Sequence, residues 1–123
     1  MPDVKILVVD DNIALCQTLA VMLDVLGHEA VIVRTAGEAI AAAQADPPRL
    51  ILLDIGLPDM DGYDACRALR KLPGLATTVF VAQTGRNSAD DVEKASQAGF
   101  HHFVVKPAPF EQLERIITAI AVA

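Results

Sequence analysis

Short unbroken apolar runs alternate with helix-period segments from one end of this chain to the other, and few folds accept that alternation. Ile6-Leu7-Val8-Val9, Leu50-Ile51-Leu52-Leu53, Val79-Phe80-Val81-Ala82 and Phe103-Val104-Val105 contain no polar residue at all. Such runs, separated by helical patterns, are read as strands of a parallel sheet covered on both faces. A weaker run, Val31-Ile32-Val33, lies between Glu29 and Arg34 and is expected at a sheet edge. Between the runs, Leu15, Leu19, Met22, Leu23 and Leu26 recur at helical spacing until Gly27 stops them. Thr35 with Glu38 reads as a capping box for an Ala-rich helix reaching about Ala45, ended by Pro47-Pro48. Tyr63, Cys66 and Leu69 mark a third helix closed by Pro73-Gly74, and Ser88 with Asp91 caps a fourth that finishes at Gly99. Leu113, Ile116, Ile117 and Ile120 form the stripe of a last helix. Five βα units with right-handed crossovers predict one α/β domain over residues 1–123, a doubly wound three-layer sandwich.

Composition narrows the setting. A length of 123 residues suits one domain with a real core. Hydrophobic residues make up 53%, yet no run approaches the roughly 18 residues of a membrane span, so no membrane contact is expected. Met1-Pro2-Asp3 leads into the first strand without a basic leader, and the expected location is cytoplasmic. Cys16 and Cys66 lack metal-ligand spacing and are expected as reduced, partly buried thiols. A net charge of −6 argues against direct nucleic-acid binding by this domain.

In parallel sheets of this type, ligands bind outside the carboxyl ends of the strands. Asp10-Asp11, Asp54, Gln83-Thr84 and Lys106-Pro107 follow the four strongest runs, so acids, a hydroxyl and an amine converge on one edge. Asp10 and Asp11 point differently by backbone alternation, so one can coordinate a cation directly while the other acts through water. With Asp54 they form a dense anionic pocket, and oxygen-only ligands suit Mg²⁺. Asp54 follows four buried aliphatics, where a carboxylate can serve as a nucleophile toward phosphorus. Lys106 supplies a point charge for phosphoryl oxygens, and Thr84 a hydroxyl for another. Pro107 reads as a tight turn, cis or trans, and Gly85 leaves the backbone open beside Thr84. Asp59, Asp61 and Gly62 read as turn and cap chemistry. His101 and His102, read as strand neighbours, point to opposite faces and share no metal.

At these residues the chain resembles the receiver domain of bacterial two-component signalling, the response-regulator family, over essentially its whole length. The segments that carry the resemblance are Ile6 to Asp11, Leu53-Asp54-Ile55-Gly56-Leu57-Pro58-Asp59-Met60-Asp61-Gly62 and Val105-Lys106-Pro107. It implies a flavodoxin-like five-stranded sheet in the order 2-1-3-4-5. It also implies that Asp54 accepts a phosphoryl group from a histidine of a sensor histidine kinase or histidine phosphotransfer protein. Asp11, Asp54 and the Gly56 backbone carbonyl would bind Mg²⁺ or Mn²⁺, with Asp10 assisting through water. Thr84 and Phe103 would be the switch pair, and Lys106 the phosphate clamp. A domain of this kind is a signalling device that promotes its own phosphorylation and dephosphorylation, and a weak homodimer would fit it. Two departures stand out: Gln83 replaces a common apolar residue, and Phe103 replaces a frequent tyrosine. Asp54-Ile55-Gly56-Leu57-Pro58 and Ala98-Gly99-Phe100-His101-His102 resemble receivers fused to hybrid sensor histidine kinases. An excised domain and a stand-alone regulator both remain open.

Other chemistries fit less well. A small aspartate-dependent phosphohydrolase would share the Asp nucleophile, Lys and Mg²⁺, but needs a second acid where Gly56 stands. A flavodoxin-like cofactor module needs a phosphate loop after the first strand, and Asp10-Asp11-Asn12 would repel phosphate. A degenerate docking domain would not need the full acid, threonine and lysine set. Gly56 and Arg86 stand where side chains would flank an attacking water.

Overall fold

Each apolar run becomes a strand because it is buried from both sides. A computed structural model of the protein describes residues 4–85, 89–106 and 109–121. The elements alternate without exception: β1 (Ile6–Val9), α1 (Ile13–Val25), β2 (Ala30–Val33), α2 (Ala36–Ala45), β3 (Leu50–Asp54), α3 (Gly62–Arg70), β4 (Val79–Thr84), α4 (Ala89–Ala98), β5 (His102–Val105) and α5 (Phe110–Ala121). All paired strands are parallel, in the order β2-β1-β3-β4-β5. This is the doubly wound order implied by the resemblance.

Two cores flank the sheet. Leu7, Val9, Ile51, Leu53, Phe80 and Ala82 face α2, α3 and α4, where Ala36, Ala39, Cys66, Leu69 and Ala95 cover them. Ile6, Val8, Leu50, Leu52, Val81 and Val104 face α1 and α5, under Leu19, Leu23, Leu113 and Ile117. The strands β1 and β3 are buried at every position, which is why they read as continuous apolar runs. The edge strand β2 exposes Val31 and Ile32 by more than a third, which explains its weaker pattern.

Helix ends follow local chemistry, with three corrections. Gly27 ends α1 at φ +85°, a conformation that costs glycine little. Thr35 caps α2 through the Glu38 amide, but Glu38 accepts from the Arg34 N–H, one residue before the expected partner. His101 precedes β5 and does not belong to it: its Nδ1 accepts from the Phe80 N–H at 3.0 Å, and burial lowers its pKa. The thiols of Cys16 and Cys66 are fully and not partly buried. Burial raises both, Cys66 to about 11, so neither is a reactive thiolate. The readings at Met1–Asp3, Arg86, Ser88 and Pro107 lie outside the described residues.

Candidate functional site

The carboxyl edge of the sheet gathers its polar residues at strand ends. Asp54 closes β3; Asp10 follows β1 one register step beyond the pairing of Val9 with Leu53, and Asp11 one step further. Asp10 and Asp54 are buried while Asp11 is exposed. One carboxylate oxygen of each lies within 4.8 Å of the others. Asp10 is fixed by the Asn12 N–H at 2.9 Å, and Asn12 in turn caps α1. Asp54 Oδ1 accepts from the Gly56 N–H at 3.1 Å.

The loop after β3 is cinched shut. Gly56 bridges Asp61, the Gly62 N–H donates to the Ile55 carbonyl at 2.8 Å, and Asp61 caps α3 through the Tyr63 N–H at 2.7 Å. A Cβ on Gly62 would lie 2.5 Å from the Asp54 carbonyl oxygen and from Ile55 Cα, so only glycine lets α3 press this close. Gly56 has open space where a Cβ would stand. Asp59, expected as turn chemistry, reaches further: its two oxygens accept from the Ala36 and Gly37 N–H groups at 2.9 and 3.1 Å, capping α2.

Lys106 is not a solvated edge residue. Its ammonium lies 2.7 Å from Asp10 Oδ2 and 3.0 Å from Asp54 Oδ1. Burial disfavours its charge, but the hydrogen bonds to Asp10 and Asp54 outweigh that and raise its pKa. Three carboxylates against one ammonium leave two negative charges in a partly dry site. Two like charges about 4 Å apart repel by about 4 kcal/mol at an effective dielectric near 20. The donor set is all oxygen, so a divalent hard cation fits the imbalance in charge and in kind.

Thr84 is buried at the end of β4, and its carbonyl accepts from the Lys106 N–H at 2.7 Å. A cleft of about 570 Å³ opens beside Thr84, lined also by Asp54, Gly56, Tyr63, Asp91 and Lys94. The Tyr63 hydroxyl ties α3 to α4 at the Asp91 carboxylate, 3.3 Å away. Phe103 is half-buried against the core on the α2–α4 side. The sequence marked Gln83 only as a polar departure, whereas the fold buries it fully. A run of apolar neighbours was the only local signal for that burial.

Comparison with known proteins agrees with this geometry. Residues 6–118 match the response regulator receiver domain family. The transcriptional regulatory protein KdpE of Mycobacterium tuberculosis is 33% identical over 94% of this chain, which spans 50% of that protein. The signal transduction histidine-protein kinase BarA of Escherichia coli K12 is 31% identical over 91% of this chain and only 12% of its own length. The chain therefore spans half or less of these two relatives. The solved receiver domain of the sensor histidine kinase PA1611 from Pseudomonas aeruginosa, with magnesium coordinated in its active-site cleft, superposes with a TM-score of 0.89 at 29% identity. That alignment covers 99% of this chain and 100% of the other. The chain belongs to the response regulator receiver domain family, the phosphorelay signalling domain of two-component systems.

Proposed function

We propose that Asp54 is the phosphoacceptor, taking its phosphoryl group from a phosphohistidine on a sensor kinase or phosphotransfer protein. The observation that carries this reading is Asp54 itself: a nearly buried carboxylate at a strand end, beside two more acids and under a lysine ammonium. A carboxylate oxygen bonds phosphorus as the donor's N–P bond breaks, and the leaving imidazole keeps the electron pair. Asp10, Asp11, Asp54 and the Gly56 carbonyl would hold Mg²⁺, which offsets the charge of the carboxylates and the phosphoryl oxygens. Lys106 then turns from the carboxylates to one phosphoryl oxygen, and the Thr84 hydroxyl to another. The open space at Gly56 leaves a path for water, so the chain also hydrolyses its own aspartyl phosphate. Phosphohydrolase action on other substrates is disfavoured, because no second acid stands at Gly56. What the phosphorylated domain controls belongs to the longer proteins that carry such domains, and cytoplasmic placement fits that role. Among the described residues no helix is long and apolar enough to cross a membrane.

Intact-mass analysis after treatment with acetyl phosphate and Mg²⁺ tests the assignment. Wild type should gain one phosphoryl group, and should gain none in EDTA. Asp54→Ala should gain none in either condition. Equal uptake by both proteins would show that phosphate lands elsewhere.

A further inference from the structure

Gln83 is fully buried, yet among the described residues neither its Oε1 nor its Nε2 has a hydrogen-bond partner. Its surroundings follow from strand alternation. Val81 and Val104 face α1 and α5, while Phe80 and Ala82 face the other way, so Gln83 faces α1 and α5. The register places it directly between Asp54 on β3 and Val104 on β5. Lys106 lies two residues beyond Val104, and its ammonium reaches Asp54 and, further still, Asp10. Since β4 separates β5 from β3, and alternation carried on from Val104 puts Lys106 on the face that Gln83 shares, the Lys106 stem crosses the end of β4 on that side.

We propose that Gln83 is a positioning residue for Lys106: its carboxamide oxygen takes the ammonium when a cation or phosphoryl group claims the carboxylates that now hold it. This rests on the reading of Asp54 as acceptor and Lys106 as its clamp. A carboxamide oxygen suits the task because it is neutral and accepts two hydrogen bonds, while an ammonium donates three. It steadies one donor and leaves the others free for a phosphoryl oxygen. An acid at the same place would hold Lys106 too firmly and add charge to an already anionic site. An aliphatic side chain would leave the ammonium to find its own position. The unloaded protein bears the cost, since a buried amide without partners opposes folding. Loss of stability at a position that serves function is a familiar trade-off.

Gln83→Met and Gln83→Leu fill the same space without the amide. Without divalent cation, both variants should melt higher than wild type, by about 5 °C. An unchanged or lower midpoint in both means the amide is already satisfied, and overturns the proposal. With Mg²⁺ added, the wild-type Lys106 ammonium should give a sharp signal in ¹H–¹⁵N spectra, identified by its absence in Lys106→Ala. In both variants it should stay exchange-broadened, and a signal as sharp as in wild type refutes a role for Gln83. Phosphorylation by phosphoramidate should slow about tenfold in the variants, while Mg²⁺ affinity stays within about twofold of wild type. If wild type takes no phosphate on Asp54, the acceptor reading fails, and the melting and ammonium signals still decide the role of Gln83.

Discussion

Lys106 shows how one side chain can hold a site together before the site is used. Its ammonium bridges Asp10, whose carboxylate is fully buried, and Asp54. Truncating it leaves two buried carboxylates without their counter-charge. Breaking a fully buried pair costs about 3–5 kcal/mol, and the partial exposure of Lys106 brings this nearer about 2 kcal/mol. Lys106→Ala should therefore melt lower than wild type in EDTA and recover most of the loss with Mg²⁺, because the cation replaces the missing charge. It should bind Mg²⁺ yet fail to respond to phosphodonor. A midpoint insensitive to Mg²⁺, or a wild-type response to phosphodonor, would remove Lys106 from this role. Asp10, Asp54, Thr84 and Lys106 were legible as a group because each ends a strongly apolar run, and parallel topology sends such ends to one edge. The bridge from Lys106 to Asp10 was not legible. It joins residues on strands that are not neighbours, and nothing local in either segment encodes it.

At the scale of elements, the loop after β3 does more than carry Asp54. Asp59 caps α2 from across the fold, so the segment that shapes the site also anchors a helix on the same face. The two backbone N–H groups hold its carboxyl below the usual carboxylate range. A folded-state pKa below the unfolded value means the native protein binds fewer protons. This contribution is complete above the unfolded value and is lost as pH falls through the depressed one. Asp59→Ala should melt below wild type at neutral pH, with faster amide exchange at Ala36 and Gly37. The gap should close as pH drops below about 4. A gap independent of pH would assign the loss to packing and not to the ionised cap. The central strands were readable from their unbroken apolar content, and the edges less so because β2 exposes part of one face. His101 was misplaced onto β5 because its ring stands in for strand pairing, taking the Phe80 N–H that a backbone carbonyl would otherwise take.

Across the whole molecule, the site lies on a seam between the two cores. Lys106 and Gln83 lie on the α1–α5 side, whereas Thr84 and Phe103 face α2–α4, since Phe103 pairs in register with Ala82. On the proposed reading, a phosphoryl group on Asp54 would therefore act on both layers at once. It would draw Lys106 on one side and the Thr84 hydroxyl on the other. Movement of Thr84 would free space beside Phe103, which is half-buried against the same core and could then turn inward. Phe103 has no hydroxyl, so packing alone would choose between its positions, and a small gap between the two states is expected. The phosphoryl group biases that equilibrium only through contacts it makes better in one state than the other. The change would reach the face formed by α4, β5 and α5, with the Tyr63–Asp91 tie carrying part of it from α3 into α4. Thr84→Ala should still accept phosphate on Asp54, because the hydroxyl is not the nucleophile. Its amide shifts around Phe103 and along α4 should move much less than in wild type on phosphorylation. Equal shifts in both proteins would show that the coupling bypasses Thr84, leaving the Lys106 side of the seam as its route.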